Sequence, residues 1–163
     1  MDLEEHGASL EGSLPLQAAS AYKSWAVVYN RGGGGIDAVL PLPYLCYPNT
    51  MAQFRRFVGE EVKNTLFESL RTLDPDNFDG YMSLLNGIYQ YTYNLLCVRS
   101  EVFEGYCEWI FSMLRFMEGF SDKVPEIGSS RALSYAAEVL TSLYFLSREK
   151  TLNIAHVEKR IFV

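Results

Sequence analysis

Residues 91–120 read YTYNLLCVRSEVFEGYCEWIFSMLRFMEGF, and the spacing of their apolar residues changes part of the way along. The first eight residues are mostly aromatic, β-branched or otherwise apolar, which predicts a buried strand. Ser100 is then the predicted cap of a helix that carries two apolar stripes. The stripes are Phe103, Tyr106, Cys107, Ile110, Phe111, Leu114 and Met117, and Trp109, Met113, Phe116 and Phe120. We therefore predict a helix covered on two sides, with one narrow solvated strip.

That polar strip consists of Glu101, Glu104, Glu108, Ser112 and Arg115.

The whole chain has 163 residues, of which 48% are hydrophobic and 21% charged, so we expect one domain with a substantial core. The net charge of -6 and the scattered basic residues argue against a nucleic-acid surface. No apolar run is long enough to span a bilayer, and the acidic amino terminus is unlike a secretory signal. The expected location is therefore the cytoplasm.

The three cysteines, Cys46, Cys97 and Cys107, lack the spacing of a zinc site, and two of them lie in apolar runs. Reduced core thiols are the favoured interpretation. His6 lies in a predicted disordered arm and His156 in the tail, so neither is well placed as a base for a cysteine nucleophile. Histidine-based metal sites are disfavoured for the same reason, and no metal-ligand residue is assigned.

The first 35 residues are predicted to be a poorly ordered arm that ends in a glycine-rich linker, Gly32 to Gly35. Residues 36–40 (IDAVL) predict a short buried strand that begins near Asp37 and is stopped by Pro41. The aromatic, proline-rich loop that follows, residues 41–49, is of a kind that lines a pocket or closes a core edge. The heptad-like apolar spacing of residues 51–73 predicts a long amphipathic helix.

Asp74-Pro75 is a helix-start signal, which predicts a helix from there to about Asn86. Asp74-Pro75-Asp76 also has the letters of a metal-binding Asp-x-Asp, but its place between two helices favours the cap. Residues 121–130 read as a loop, a final helix is predicted over 131–147, and two short extended segments over 152–155 and 160–163 close the chain. The fold class is thus α/β of mainly helical character, with a few short strands packed by three or four helices.

Four polar residues lie among apolar ones and are candidates for a site: Asp37, Asn94, Arg131 and Glu138. Asn94 is predicted on the strand, where its amide requires buried partners, and it serves either the structure or a ligand. Arg131 and Glu138 stand seven residues apart on one helix face, about 10.5 Å along the axis, so both can reach one cleft. For Glu138 a surface carboxylate is the alternative interpretation.

Three collinear segments of this chain resemble the bacterial capsular and exopolysaccharide synthesis proteins, long known as a domain of unknown function and regarded as glycosyltransferase-like. The hallmark of that family is an asparagine-bearing strand, a turn, and a helix with the pattern Phe-x-x-Tyr-Cys-x-Trp-Leu-Phe. The matching residues here are Asn94, Phe103, Tyr106, Cys107, Trp109 and Phe111. The strand at Asp37 and the helix from Arg131 to Glu138 are also similar to family segments.

The resemblance covers residues 36–163 and implies part of a type A glycosyltransferase domain. It implies transfer of a sugar from a nucleotide-sugar donor to a glycan acceptor, with a divalent metal such as Mn²⁺ or Mg²⁺ as a candidate cofactor. Glu138 would be the catalytic base. Asn94, Arg131, Asp37 and Tyr93 would bind substrate.

Nothing before Ile36 matches the nucleotide-binding first half of the family. We therefore expect the carboxy-terminal, acceptor-side portion of such a domain, either truncated or degenerate and with no certain activity. A non-catalytic binding or structural module that has lost its donor site is the alternative. A fragment that does not fold by itself is a third hypothesis.

Overall fold

The computed structural model describes residues 35–92, 94–129 and 131–158, and their fold is α/β and mainly helical. The helices are α1 (Thr50–Leu73), α2 (Phe78–Asn86), α3 (Ser100–Glu118), α4 (Pro125–Ser129) and α5 (Ala132–Ser147). The strands are β1 (Ala38–Pro41), β2 (Tyr44–Leu45), β3 (Tyr89–Gln90), β4 (Cys97–Val98) and β5 (Ile154–Val157). The predicted fold class is therefore confirmed. The predicted arm and glycine-rich linker, and the extended segment at 160–163, lie outside the described residues.

Strand β1 is the centre of a three-stranded sheet in the order β4-β1-β5. It runs antiparallel to β4 and parallel to β5, with Ala38 opposite both Val98 and Ile154. All four residues of β1 are buried, as predicted for this segment, but the strand starts at Ala38 and includes Pro41, which the sequence predicts to stop it. One sheet face joins the main core through Ala38, Leu40 and Ile154.

Residues 91–98 do not form the strand that their composition predicts. Of the described residues in this range, Cys97 and Val98 alone pair with β1, because Asn94 adopts φ 47° and turns the chain before them. A left-handed backbone cannot continue a strand, and asparagine tolerates it better than most residues. Strands β2 and β3 form a separate antiparallel pair. Strand β2 lies within the loop predicted at 41–49, and β3 ends just before Tyr91.

Helix α1 confirms the predicted amphipathic pattern, with Phe54, Val58, Val62, Leu66 and Leu70 buried in the core. Gly59 has φ 86° and breaks the helical backbone geometry within it. Glycine adopts this conformation without steric cost, so the apolar face stays directed inward on both sides of the break.

Helix α3 is less enclosed than its sequence predicts. Tyr106, Ile110, Met113 and Met117 are buried, but Phe103 and Phe111 are exposed, so the prediction of cover on two sides is wrong. The predicted solvated strip is confirmed, because all five of its polar residues are exposed. Ser100 is the first helical residue and not the cap; Arg99 holds that position without a side-chain cap bond.

The helix that lies inside the fold is α5, which contacts α1, α2, α3, α4 and β3. Its buried residues are Ala132, Ala136, Val139, Leu140, Thr141, Ser142, Leu143, Tyr144 and Phe145. Small side chains and a single charged residue, Glu138, allow neighbours to pack on most of its circumference. The predicted helix at 131–147 is confirmed, whereas the predicted loop at 121–130 contains α4.

Candidate functional site

Strands β1 and β5 run parallel, so their carboxyl ends meet at one edge of the sheet. There the Leu42 backbone N–H donates to the Val157 carbonyl at 2.9 Å. We call the end of the sheet at Leu42 and Val157 the carboxyl edge. Ligands of open α/β sheets bind outside the carboxyl ends of parallel strands. Because β4 runs antiparallel to β1, the residues just before Cys97 lie toward this same edge.

The two ends of segment 91–94, Tyr91 and Asn94, are fastened to one turn of α5. The Tyr91 backbone N–H donates to Ser142 Oγ at 2.9 Å, and Ser142 Oγ donates to the Glu138 carbonyl, also at 2.9 Å. Thr141 Oγ1 lies 3.2 Å from Asn94 Oδ1 and 2.8 Å from the Tyr106 hydroxyl. These bonds hold the segment against the helix and place it beside the turn that begins at Glu138.

Asn94 is exposed, which corrects the prediction of a strand residue with a buried amide. Its turn conformation lifts it out of the sheet, and Thr141 binds its side-chain oxygen. An amide fixed by one neighbour and open to solvent on its other side is suited to contact a polar ligand.

Glu138 is half-buried and lies one helical turn before Thr141. Residues three apart on a helix are neighbours, with about 5–6 Å between their Cβ atoms. Since Thr141 binds Asn94, Glu138 lies one helical turn along α5 from a residue that contacts Asn94. A carboxylate there could accept a proton from a bound hydroxyl group.

Arg131 lies at the residue before α5 and is exposed. It stands two turns from Glu138, at about 10.5 Å along the helix axis. A guanidinium at that separation can contact a different part of the same extended ligand. Tyr93 lies outside the described residues.

Asp37 lies at the opposite end of the sheet from the other candidates. It precedes β1, and four residues of extended chain, about 13 Å, separate it from Pro41. Its Oδ1 is 3.3 Å from Arg99 Nη1 and its Oδ2 accepts the Asn153 backbone N–H at 2.9 Å. These bonds tie β1 to the segments next to β4 and β5, so a structural role suits Asp37 better than substrate contact.

His156, which the sequence places in a tail, lies on β5 near the carboxyl edge. Its Nε2 is 2.7 Å from the Tyr91 hydroxyl, and the two rings stack with centroids 5.8 Å apart. Burial, with a contribution from the Glu149 charge, raises the pKa of Tyr91, so its hydroxyl remains protonated. The extended segment predicted at 152–155 is observed as β5, two residues later along the chain, with every residue but His156 buried.

Asp74 does not cap α2, and the prediction of a side-chain cap is wrong. A short 3₁₀ turn, Pro75–Asn77, starts there, and the helix signal itself is confirmed. The carboxylate accepts bonds from the Tyr81 hydroxyl at 2.6 Å, the Asn77 amide at 2.8 Å and Trp109 Nε1 at 3.0 Å. This cluster joins the ends of α1 and α2 to α3.

The charge of Asp74 is stabilised within that cluster. Burial opposes it, but the bonds from Tyr81, Asn77 and Trp109 and the charge of Arg148 outweigh burial and lower the pKa of Asp74. Burial and the same carboxylate raise the pKa of Tyr81 to about 12. The three hydrogen-bond donors to Asp74 are neutral N–H and O–H groups, which together stabilise its carboxylate.

No group of three His, Cys, Asp or Glu side chains within the described ranges is arranged to hold a metal ion. The three cysteines are free thiols, with Cys46 buried, Cys107 half-buried and Cys97 exposed, so Cys97 is not the core thiol predicted.

In the part of the chain that the structure describes, no helix combines the length and apolarity needed to cross a membrane.

Comparison with solved structures defines the class of fold. The chain is similar to the apo structure of WbbM, a bifunctional glycosyltransferase, with a TM-score of 0.65 and 20% sequence identity. The match covers 76% of this chain and 23% of that one, so the chain spans under a quarter of that protein's length. The predicted resemblance to part of a glycosyltransferase fold is thereby confirmed.

A family model then identifies the chain more narrowly. It belongs to the family described as "Domain of unknown function (DUF4422)", whose model matches residues 34–150. No curated protein matches the chain. The matched range includes the candidate residues Asn94, Arg131 and Glu138 and ends before β5.

Proposed function

We propose that this chain is the acceptor-side part of a glycosyltransferase of capsular or exopolysaccharide synthesis, which transfers a sugar from a nucleotide-sugar donor to a glycan. The observation that carries the proposal is the bond from Thr141 to Asn94, because Glu138 lies one turn before Thr141 on α5. The fold shared in part with a glycosyltransferase supports it. The resemblance of the segments around Asn94 and Glu138 to polysaccharide-synthesis proteins supports it further.

In the proposed reaction an acceptor hydroxyl attacks the anomeric carbon of the donor sugar. The new carbon–oxygen bond forms as the bond to the nucleoside diphosphate breaks, and Glu138 takes the hydroxyl proton. Asn94 would orient the acceptor hydroxyl or a neighbouring sugar hydroxyl. Arg131 would offset the negative charge of the departing diphosphate. The remainder of the donor site would come from residues outside the described ranges or from another chain.

The test compares Glu138→Gln with Glu108→Gln. Glu108 is an exposed glutamate on α3, so its variant makes the same chemical change away from the candidate site. Transfer is measured with a panel of radiolabelled nucleotide sugars and a mixture of neutral oligosaccharide acceptors. We expect Glu138→Gln to lower transfer at least a hundredfold, the usual scale of general-base loss, with an unchanged melting temperature. Glu108→Gln should transfer like the unaltered chain.

Equal transfer by the two variants would remove Glu138 from the mechanism. Donor binding without transfer by the unaltered chain would instead assign it to the class of non-catalytic binding modules. A thermal melt with each nucleotide sugar separates these cases, since a ligand at a hundred times its Kd stabilises a fold by about 2.7 kcal/mol.

A further inference from the structure

The paired strands β2 and β3 present an uncharged, aromatic outer face. Leu45 and Tyr89 are opposite each other in register and are 59% and 51% exposed. Tyr47, two residues along, is 90% exposed. Side chains that stand opposite each other in an antiparallel pair point to one face, and Tyr47 lies in the chain just beyond the end of β2. We call Leu45, Tyr47 and Tyr89 the aromatic ribbon.

On the opposite face of the same pair Tyr44 is 53% exposed, but its partner Gln90 and the neighbouring Cys46 anchor the pair in the protein. Cys46 and Gln90 are both buried, and Cys46 Sγ lies 3.2 Å from Gln90 Oε1. The Cys46 N–H donates to the Ile88 carbonyl at 2.7 Å, and Thr50 Oγ1 donates to the Tyr89 carbonyl at 3.3 Å. The exposed rings therefore stand on a fixed backbone, which reduces the entropy lost when a ligand binds them.

Both strands of the ribbon connect directly to the carboxyl edge. Strand β1 ends at Pro41 and β2 starts at Tyr44, while β3 ends at Gln90, next to the Tyr91 that α5 holds. Five residues separate Tyr89 from Asn94, a span of at most about 18 Å. An elongated ligand with one end near Asn94 can thus reach the ribbon.

We propose that the aromatic ribbon binds the neutral sugar units of the glycan acceptor that lie beyond the reacting hydroxyl. Pyranose rings have an apolar face of C–H groups that stacks on an aromatic ring, and tyrosine adds a hydroxyl at little entropic cost. Residues 41–49 and 87–90 contain no Asp, Glu, Lys or Arg, which suits a neutral ligand and not a diphosphate. This inference rests on the proposed function, since it takes the acceptor to be a glycan.

A second copy of the chain is a poorer occupant for this face. An aromatic side chain offers roughly 150–250 Å², so three side chains fall short of the roughly 800 Å² per partner of a stable protein interface. The two tyrosine rings and Leu45, beside the proposed reaction site, match the width of a single glycan chain better than they match a protein surface.

The test measures binding of the full chain to an array of neutral and anionic oligosaccharides, followed by titration calorimetry with the tightest neutral one. We expect Tyr47→Ala and Tyr89→Ala each to weaken binding about tenfold, as loss of a central aromatic contact does. Tyr47→Phe should bind like the unaltered chain because it keeps the ring. Phe111→Ala, which removes an equally exposed ring from α3, should also bind normally.

Unchanged affinity in both tyrosine-to-alanine variants would overturn the proposal, and so would binding of no neutral oligosaccharide. A dimer in sedimentation velocity that Tyr47→Ala abolishes, with glycan binding unaffected, would make the ribbon a self-association surface instead. Glu108→Gln, on the exposed surface of α3, should leave glycan affinity unchanged. If Tyr47→Ala and Tyr89→Ala keep full glycan affinity while Glu138→Gln loses transfer, only this inference is refuted. If the two tyrosine variants lose affinity while Glu138→Gln keeps full transfer, only the catalytic proposal is refuted.

Discussion

Replacing Asp74 by alanine tests the account of the cluster that joins α1, α2 and α3. The change removes the acceptor of the Tyr81 hydroxyl and the Trp109 N–H, while the Asn77 amide is exposed and can bind water. Hydrogen bonds to a charged group contribute about 1.5–3 kcal/mol each. Since Asp74 is only half-buried, water can replace part of this, and we expect a net loss of about 3 kcal/mol in the free energy of unfolding.

The assay is urea unfolding followed by circular dichroism, with Asp76→Ala as the control on an exposed carboxylate of the same turn. The control should change the free energy of unfolding by under about 0.5 kcal/mol. A loss of about 3 kcal/mol corresponds to roughly 6–12 °C in melting temperature at this size. If Asp74→Ala and Asp76→Ala unfold at the same urea concentration, the cluster does not stabilise the fold as we describe.

The same cluster predicts a pH dependence. The pKa of Asp74 is lower in the folded than in the unfolded chain, so its carboxylate stabilises the fold above its unfolded pKa of about 3.9. This contribution is lost as pH falls from that value through the lower folded pKa. Asp74→Asn, which does not titrate, should lose less stability across this acid range than the unaltered chain does. An equal loss of stability in Asp74→Asn and in the unaltered chain would contradict a lowered pKa of Asp74 in the folded state.

Two further predictions concern glycines and thiols. Gly80→Ala in exposed helix α2 meets no atom within 4 Å and should stabilise by about 0.5–1 kcal/mol, whereas Gly59→Ala, at φ 86°, should destabilise by about 1–2 kcal/mol in the same urea assay. A stabilising Gly59→Ala would mean that α1 can straighten at the break. A thiol reagent should modify exposed Cys97 well before Cys46, whose burial raises its pKa, and simultaneous modification of Cys46 and Cys97 in a peptide map would contradict their assigned burial.

Local apolar spacing was sufficient to predict the helices at 51–73 and 131–147. It misjudged which helix lies inside: α3 has more aromatic residues, but α5 has small residues and one charge and is covered by more elements. The many aromatic residues of α3 show that it is hydrophobic. How far a helix is enclosed depends instead on whether its neighbours can approach its backbone closely. Phe103 and Phe111 are exposed for that reason.

Long-range contacts account for what sequence reasoning missed at the candidate site. The turn at Asn94 depends on one backbone angle, and its link to Thr141 spans 47 residues. The Tyr91–His156 pair spans 65 residues and forms only because β5 lies parallel to β1. The position of Asp37 at the far end of the sheet follows from strand direction, which spacing along the chain does not reveal.

The most direct test of the central claim is hydrogen–deuterium exchange of the chain with the nucleotide sugar or oligosaccharide that raises its melting temperature most. If the carboxyl edge is the binding site, the ligand should slow exchange in peptides that contain residues 91–94 and 138–142. Peptides around Asp37 and Asn153, at the opposite end of the sheet, should exchange as before. Protection confined to Asp37 and Asn153, or no ligand that moves the melt at all, would contradict the assignment of the site to the carboxyl edge.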